Sequence, residues 1–139
     1  MKNSLSHSSW ECKYHIVWVP KRRRREILSK LKKEVEVIIG KLCSYKKIEV
    51  LELKVCEDHV HACLSIPPKY AISNIMGYLK GKSTMILFEM YSPYRRNFKG
   101  HTFWARGYYV NTVGMDEEKI LKYIREQEEN EMIENKYRK

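Results

Sequence analysis

The sequence predicts an α+β fold in which helices cover an antiparallel β-sheet. Three observations lead to this class. Several short segments alternate apolar and polar residues with period two, two longer segments repeat apolar residues at steps of three and four, and another helix begins near the carboxyl end. The predicted order is strand, helix, strand, strand, helix, strand, helix. A chain of 139 residues has the length of one domain, and we expect residues 1–139 to form it.

The first predicted strand is Trp10–Val19, one face of which is rich in aromatic residues. Pro20 ends this strand, and the basic run 21–25 follows it. The first helix is predicted over Glu26–Cys43. Its apolar residues recur at helical spacing: Leu28, Leu31, Val35, Ile38 and Leu42.

Two further strands are predicted to form a hairpin. The second strand is Lys47–Cys56, the third begins at His59 and ends before Pro67, and the Glu57-Asp58 pair between them has the length of a hairpin turn. The remaining predicted elements are a helix over Ile72–Tyr91, a basic loop over Ser92–His101, a fourth strand over Phe103–Val110 and a last helix from Asp116 towards Lys139. The buried side of the Ile72–Tyr91 helix is predicted to hold Ile72, Ile75, Met76, Leu79, Ile86 and Met90.

The third strand carries the chemistry that stands out most. Period two places Val60, Ala62, Leu64 and Ile66 on one face and His59, His61, Cys63 and Ser65 on the other. Two imidazoles at next-but-one positions can share one ion, because neutral imidazole is a common metal ligand. The alternative is that both histidines lie by chance on the polar face of an edge strand.

The four cysteines (Cys12, Cys43, Cys56, Cys63) show no CxxC spacing, and we expect reduced thiols. A strand running through Cys56 would put that residue on the face opposite the histidines. Only His59, His61 and Cys63 would then converge, which argues against a closed four-ligand zinc site.

The charge distribution favours a polyanionic partner. The net charge is +10, the first 47 residues hold 13 Lys/Arg against four Asp/Glu, and residues 116–139 are mildly acidic. Nucleic acid is the simplest such partner. No apolar run approaches the ~20 residues of a membrane span, and the polar segment 1–9 lacks the apolar core of a signal peptide. We therefore expect a cytoplasmic protein without a membrane partner.

Tyr123 and Gln127 are four residues apart and share one face of the predicted last helix. An HxH strand followed by a late helix with Tyr-x-x-x-Gln, in a basic chain, resembles the HUH single-tyrosine transposases, the IS200-like enzymes of insertion sequences. The resemblance runs from about Trp10 to Gln127. Its motifs are CKYH at 12–15, DHVH at 58–61, GYLKGKS at 77–83, FW at 103–104, RGYYV at 106–110 and TVG at 112–114.

The resemblance implies a role for each matching residue. His59 and His61 would hold a divalent metal, Mg²⁺ or Mn²⁺, with Gln127 as a further ligand, and Tyr123 would be the nucleophile. Two imidazoles by themselves favour a softer ion such as Zn²⁺, so we expect Mn²⁺ to bind more tightly than Mg²⁺. The implied fold is a ferredoxin- or RRM-like sheet. The implied assembly is a homodimer with composite active sites, in which the tyrosine helix is exchanged about a hinge near Gly114.

The implied substrate is single-stranded DNA with hairpin ends, which the enzyme would cleave and rejoin through a 5′-phosphotyrosine. No nucleotide cofactor is expected, and the chain has no GxxxxGKS-type phosphate loop. The candidate phosphate contacts are Lys21, Arg22, Arg23, Arg24, Arg25, Lys80, Lys82, Arg95 and Arg96. Aromatic residues can stack on bases, but we expect at least two of Trp10, Trp18 and Trp104 to fill the core.

Two other functions fit parts of the pattern. A non-catalytic, sheet-based nucleic-acid-binding regulator would keep the basic surface and need neither Tyr123 nor Gln127. A structural zinc module would unfold when chelated and would depend strongly on Cys63.

Overall fold

The computed structural model describes residues 3–5, 8–90, 102–112, 122 and 125–126. The strands are β1 (Asn3–Leu5), β2 (Ser8–Trp10), β3 (Lys13–Trp18), β4 (Glu49–Val55), β5 (Val60–Ser65) and β6 (Tyr109–Thr112). The helices are α1 (Arg25–Lys30), α2 (Lys32–Tyr45) and α3 (Ile72–Met90).

The main sheet has four antiparallel strands in the order β4-β5-β3-β6, which confirms the predicted antiparallel α+β class. β5 pairs with β3 on one side and with β4 on the other. The strand with the histidines is therefore a central strand, and the alternative that placed it at the sheet edge is wrong. β1 and β2 pair with each other in a separate two-stranded sheet, which the sequence analysis did not predict.

One apolar core joins the sheet to α2 and α3. The predicted apolar face of β5 is confirmed, because Val60, Ala62 and Leu64 are fully buried. The register sets Ile16 opposite Ala62 and Trp18 opposite Val60, so β3 extends the same face. Trp18 and Trp104 are buried and meet edge to face at 6.0 Å, whereas Trp10 is half-buried. The expectation that at least two tryptophans fill the core is confirmed.

The first predicted helix is interrupted. A short 3₁₀ turn over Arg22–Arg24 leads into α1, and Leu31 separates α1 from α2. The backbone of Leu31 has φ −113° and ψ 27°, outside the α-helical region. The apolar repeat nevertheless continues across this break, because Leu28 and Val35 are both fully buried.

α3 agrees with the predicted helix to within one residue at its end. Met90, which was predicted to be buried, is exposed. Ser83 and Thr84, which interrupt the apolar pattern of this helix, are buried and bind the segment that precedes β6. Ser83 Oγ accepts a hydrogen bond from Trp104 Nε1 at 2.8 Å, and Thr84 Oγ1 accepts one from the Phe103 N–H at 3.2 Å.

The predicted bounds of the first and fourth strands are wrong. β3 begins at Lys13, three residues later than predicted, and β6 begins at Tyr109, six residues later than predicted. Phe103 and Trp104 are core residues, and Trp104 forms an isolated β-bridge with Pro20. Gly107 then takes φ +81°, a left-handed conformation that favours glycine, before β6 begins.

The predicted loop Ser92–His101 lies outside the described residues, as do Gly114 and most of the predicted last helix. Within that last helix the structure describes Lys122, Arg125 and Glu126, which are helical. No described helix has the length and apolar character that crossing a membrane requires.

Candidate active site

β5 brings the two histidines together on one face of the sheet. His59 immediately precedes the strand and His61 is its second residue, so the two side chains point the same way. Their ring centroids are 4.3 Å apart and the rings are nearly perpendicular, at 88°. Both side chains are buried. We call this side of the sheet, opposite the apolar core, the histidine face.

A carboxylate in the hairpin turn orients His59. Asp58 Oδ1 lies 2.6 Å from His59 Nδ1. A carboxylate can only accept a hydrogen bond when ionised, so this contact keeps the ring proton on Nδ1 and makes Nε2 the unprotonated nitrogen, which is the one that can bind a metal. From the sequence, Asp58 was identified as a turn residue and as the first residue of the DHVH motif, but no role in the site was assigned to it.

His61 is held in the neutral form that binds metals. Burial, together with the neighbouring His59 and His15 rings, lowers the pKa of His61 to about 3, against the weaker opposing effect of Asp58. Both ring nitrogens are buried, and neither has a hydrogen-bond partner in the described part of the chain. A divalent ion bound between the two histidines would satisfy such a nitrogen, so the donor set fits a metal.

The prediction that Cys56 lies on the face opposite the histidines is wrong. Cys56 lies on the histidine face, and its Sγ, one ring nitrogen of His59 and one ring nitrogen of His61 are all within 4.8 Å of one another. The chain reverses between Cys56 and His59, and the Cys56 N–H donates to the His59 carbonyl at 2.8 Å. The two residues are therefore cross-strand neighbours, which share a face, and are not successive positions on one strand.

The next strand adds a third histidine that the sequence analysis left without a role. His15 on β3 stacks on His61 with ring centroids 6.0 Å apart and an interplanar angle of 15°. The rings of His15 and of Tyr109 on β6 meet edge to face, with their centroids 6.0 Å apart. Burial lowers the pKa of His15. Period two in β3 places His15 on the face opposite Ile16. The sequence does not show that β3 lies beside β5, so it does not bring His15 next to His61.

Tyr123 and Gln127 lie outside the described residues. Arg125, between them in sequence, pairs through Nη2 with Oε2 of Glu52 on β4. Glu52 is opposite Cys63 in the register, and Cys63 alternates with Ala62 of the core, so this ion pair is on the histidine face. The structure thus places one described residue of the last helix against the sheet face that carries the histidines.

The predicted basic run divides into two environments. Arg24 is only 6% exposed, and its guanidinium lies over the Phe88 ring, 5.2 Å from the centroid. Arg22, Arg23 and Arg25 are exposed, and Lys21 is half-buried. The 3₁₀ turn at Arg22–Arg24 thus directs one member of the run into the core and three towards solvent. Arg95 and Arg96 lie outside the described residues.

The two candidate lysines of α3 also differ. Lys80 is half-buried, and its Nζ donates to the carbonyls of Ala105 and Gly107 at 2.9 and 2.5 Å. Burial lowers its pKa. Lys82 is exposed. Lys80 therefore fastens the segment before β6 to α3, whereas Lys82 is available to a phosphate.

We expect Lys80→Ala and Lys82→Ala to separate stability from DNA binding. Lys80→Ala should destabilise the protein by about 1–2 kcal/mol, because it removes two hydrogen bonds from a charged donor. Lys82→Ala should change stability by less than about 0.5 kcal/mol. Because it removes a charge that meets a phosphate in this assignment, it should reduce the slope of log K against log salt concentration for single-stranded DNA by about 0.7. Urea unfolding and binding at several salt concentrations measure the two effects. Equal effects of both variants on stability would contradict this assignment.

Comparison with known proteins identifies the family. The family model described as "Transposase IS200 like" matches residues 8–127. The transposase for insertion sequence element IS200 of Salmonella typhimurium is 46% identical over 134 residues, which is 96% of this chain and 88% of that protein. The ISDra2 transposase TnpA of Deinococcus radiodurans is 28% identical over 123 residues, 88% of each chain.

Solved structures agree on the fold. A candidate transposase from Deinococcus radiodurans R1 superimposes with a TM-score of 0.69 at 25% identity, over 91% of this chain and 98% of that one. A REP-associated tyrosine transposase bound to a REP hairpin superimposes with a TM-score of 0.55 at 11% identity, over 85% of this chain and 66% of that one. The chain belongs to the IS200-like transposases, a family of DNA-processing enzymes.

Proposed function

We propose that this transposase is a metal-dependent enzyme that cleaves and rejoins single-stranded DNA at the ends of its element, with Tyr123 as the nucleophile. The observation that carries the proposal is the His59–His61 pair, which lies on a central strand, is buried and is oriented by Asp58. In a chain that belongs to a transposase family, a preformed pair of buried imidazoles supports metal-assisted phosphodiester chemistry.

His59 through Nε2 and His61 through a ring nitrogen would hold the ion, and the side-chain oxygen of Gln127 would be a further ligand. The ion is Mg²⁺ or Mn²⁺ in this proposal, and Mn²⁺ suits two imidazoles better. When bound, it supplies a Lewis acid for the non-bridging phosphate oxygens. Asp58 keeps His59 in the required tautomer, and the burial of His61 keeps that ring neutral.

We expect Asp58→Asn to weaken metal binding by about 10- to 100-fold, which is the usual effect of losing a carboxylate behind a metal-binding histidine. The amide keeps the size of the side chain but not its charge, so the fold should be retained. Isothermal titration with Mn²⁺ measures the affinity, and the melting temperature of the metal-free protein is the control. An unchanged affinity would show that Asp58 only forms the turn.

Tyr123 would attack the scissile phosphate. The phenolic oxygen forms a bond to phosphorus, the bond from phosphorus to the 3′-oxygen breaks, and that oxygen takes up a proton and leaves as a 3′-hydroxyl. A phenol with a pKa of ~10 is neutral at pH 7, so its proton must leave before or during the attack. The 5′-phosphotyrosine conserves the energy of the phosphodiester, and rejoining therefore needs no nucleotide cofactor.

The DNA is single-stranded with hairpin ends in this proposal. The REP-associated neighbour of the same fold is bound to a REP hairpin, which supports a hairpin-binding role for the fold. Arg22, Arg23, Arg25 and Lys82 are exposed cations that can meet phosphates without rearrangement. In this proposal the enzyme acts in the cytoplasm and is associated with the nucleoid when it is bound to DNA.

The assembly proposed here is a homodimer with composite sites, in which Tyr123 of one protomer meets the histidine pair of the other. The family resemblance supports this assembly. Light scattering of the purified protein measures the dimer. Mixing Tyr123→Phe with His61→Ala protein tests the exchange, because a composite site would regain partial activity in the mixed dimer.

The decisive experiment incubates the full chain with end-labelled single-stranded DNA from the flanks of its element, with Mn²⁺ or with chelator. We expect a denaturant-resistant protein–DNA adduct that requires metal, in which a tyrosine is linked to the 5′-phosphate of the strand downstream of the cleaved bond. Binding without an adduct on any flanking strand would favour the non-catalytic regulator.

A further inference from the structure

Cys56 gives this metal site a third donor that the proposed transposition chemistry does not use. The hairpin fixes it there, since Val55 pairs with Val60 in the register and the Cys56 N–H bonds to the His59 carbonyl. Its Sγ and one ring nitrogen of each histidine lie within 4.8 Å of one another, and all three residues are buried. Ligands of one tetrahedral zinc ion are roughly 3.5 Å apart, so shifts of about 1 Å suffice for a common ion.

The donor chemistry favours a different ion from the one that the reaction needs. One sulfur and two imidazole nitrogens are ligands that Zn²⁺ prefers, whereas Mg²⁺ and Mn²⁺ prefer oxygen. His61 has two buried ring nitrogens with no hydrogen-bond partner in the described part of the chain, and one of them can face the ion. Asp58 already orients His59, as carboxylates commonly orient zinc-binding histidines.

We propose that Cys56, His59 and His61 form a zinc-binding site. Zn²⁺ bound there keeps the enzyme inactive until Mn²⁺ replaces the zinc. The inhibitory part of this inference rests on the function proposed above. On binding, the Cys56 S–H bond breaks, its proton goes to solvent and an S–Zn bond forms, with no change in oxidation state.

Zinc bound through Cys56 would inhibit for two physical reasons. The thiolate reduces the positive charge that the ion presents to a phosphate, which weakens its action as a Lewis acid. A four-coordinate zinc ion with three protein ligands also leaves one position open, whereas a six-coordinate ion on the two histidines leaves several. The substrate phosphate and a further protein ligand would then compete for a single position.

Co²⁺ is a direct probe, because a thiolate bound to Co²⁺ gives a charge-transfer band in the near ultraviolet. We expect the band in the metal-free full chain titrated with Co²⁺. It should persist in Cys63→Ala, which removes a buried thiol on the same face, and disappear in Cys56→Ala. Competition with a chromophoric chelator should show a loss of Zn²⁺ affinity of at least about 10-fold in Cys56→Ala. Removing even a group that only hydrogen-bonds to a metal ligand usually lowers metal affinity by that factor.

The wild-type spectrum alone can overturn the zinc site. Co²⁺ binding without a thiolate band would show that Cys56 is not a ligand, even if Cys56→Ala fails to fold. Circular dichroism of the metal-free variants is the folding control. A band that survives in folded Cys56→Ala would overturn the inference equally.

Inhibition is measured separately, on adduct formation in Mn²⁺ with increasing Zn²⁺. We expect Zn²⁺ to inhibit the Cys63→Ala protein as it does the wild type, and to inhibit Cys56→Ala only at concentrations at least about 10-fold higher. Full adduct yield in excess Zn²⁺ would overturn the inhibitory role and leave the proposed function standing. A thiolate band in a protein that forms no adduct with any metal would overturn the proposed function and leave the zinc site standing.

Discussion

Replacing Tyr123 by phenylalanine is expected to abolish the covalent protein–DNA adduct while single-stranded DNA still binds. The substitution removes one oxygen atom, the atom that would bond to phosphorus, and leaves the ring. Loss of a catalytic nucleophile lowers turnover by roughly 10⁴-fold or more. Adduct formation on denaturing gels measures cleavage, and fluorescence anisotropy with the same oligonucleotide measures binding.

Tyr45→Phe is the matched control, because Tyr45 is an exposed tyrosine at the end of α2, a helix that packs on the apolar core and not on the histidine face. It should form the adduct at the wild-type rate. An adduct that persists in Tyr123→Phe would show that another tyrosine attacks. Tyr109 would then be tested first, since it is exposed and contacts His15, which stacks on His61.

The central part of the site could be predicted because its geometry is local. Two residues that alternate along one strand share a face whatever the rest of the chain does, so the pairing of His59 with His61 followed from period two. The apolar neighbours Val60, Ala62 and Leu64 indicated which face meets the core, and they are fully buried. The sequence did not show that the opposite face is buried as well, because that depends on what lies over the sheet.

Cys56 shows where local reasoning failed. Its face was inferred by counting along a single strand, but the chain turns at Glu57-Asp58, and across a turn the parity of the count no longer decides the face. The hairpin itself was predicted. Applying its pairing to Cys56 would have placed that residue opposite His59.

Contacts between distant segments account for the other errors. Arg24 is buried because a 3₁₀ turn and Phe88, 64 positions later, give its guanidinium an apolar surface, and nothing in five consecutive basic residues distinguishes it. Phe103 and Trp104 look like strand residues by composition. They lie in the core because Ser83 and Thr84 of α3 bind Trp104 Nε1 and the Phe103 N–H.

His61→Ala is expected to remove metal-dependent cleavage without unfolding the protein. It deletes one of the two imidazoles of the proposed metal site, and a Lewis acid contributes several kcal/mol to phosphoryl chemistry, so adduct formation should fall on the order of 10³-fold. The apolar core is on the other face of the sheet, where Ile16, Ala62 and Leu64 pack, so the metal-free fold should survive. Manganese titration, adduct assays and thermal melting measure these effects.

Cys63→Ala serves here too as the control for loss of a buried group from the same strand and face. It should bind Mn²⁺ and form the adduct as the wild type does. Chelator should likewise stop cleavage in the wild type and leave the chain folded, with a melting temperature lowered only by the loss of bound metal. If chelator instead unfolded the wild-type chain, the ion would be a structural component of the fold, as in small zinc modules that require metal to fold, and the catalytic assignment of His61 would be wrong.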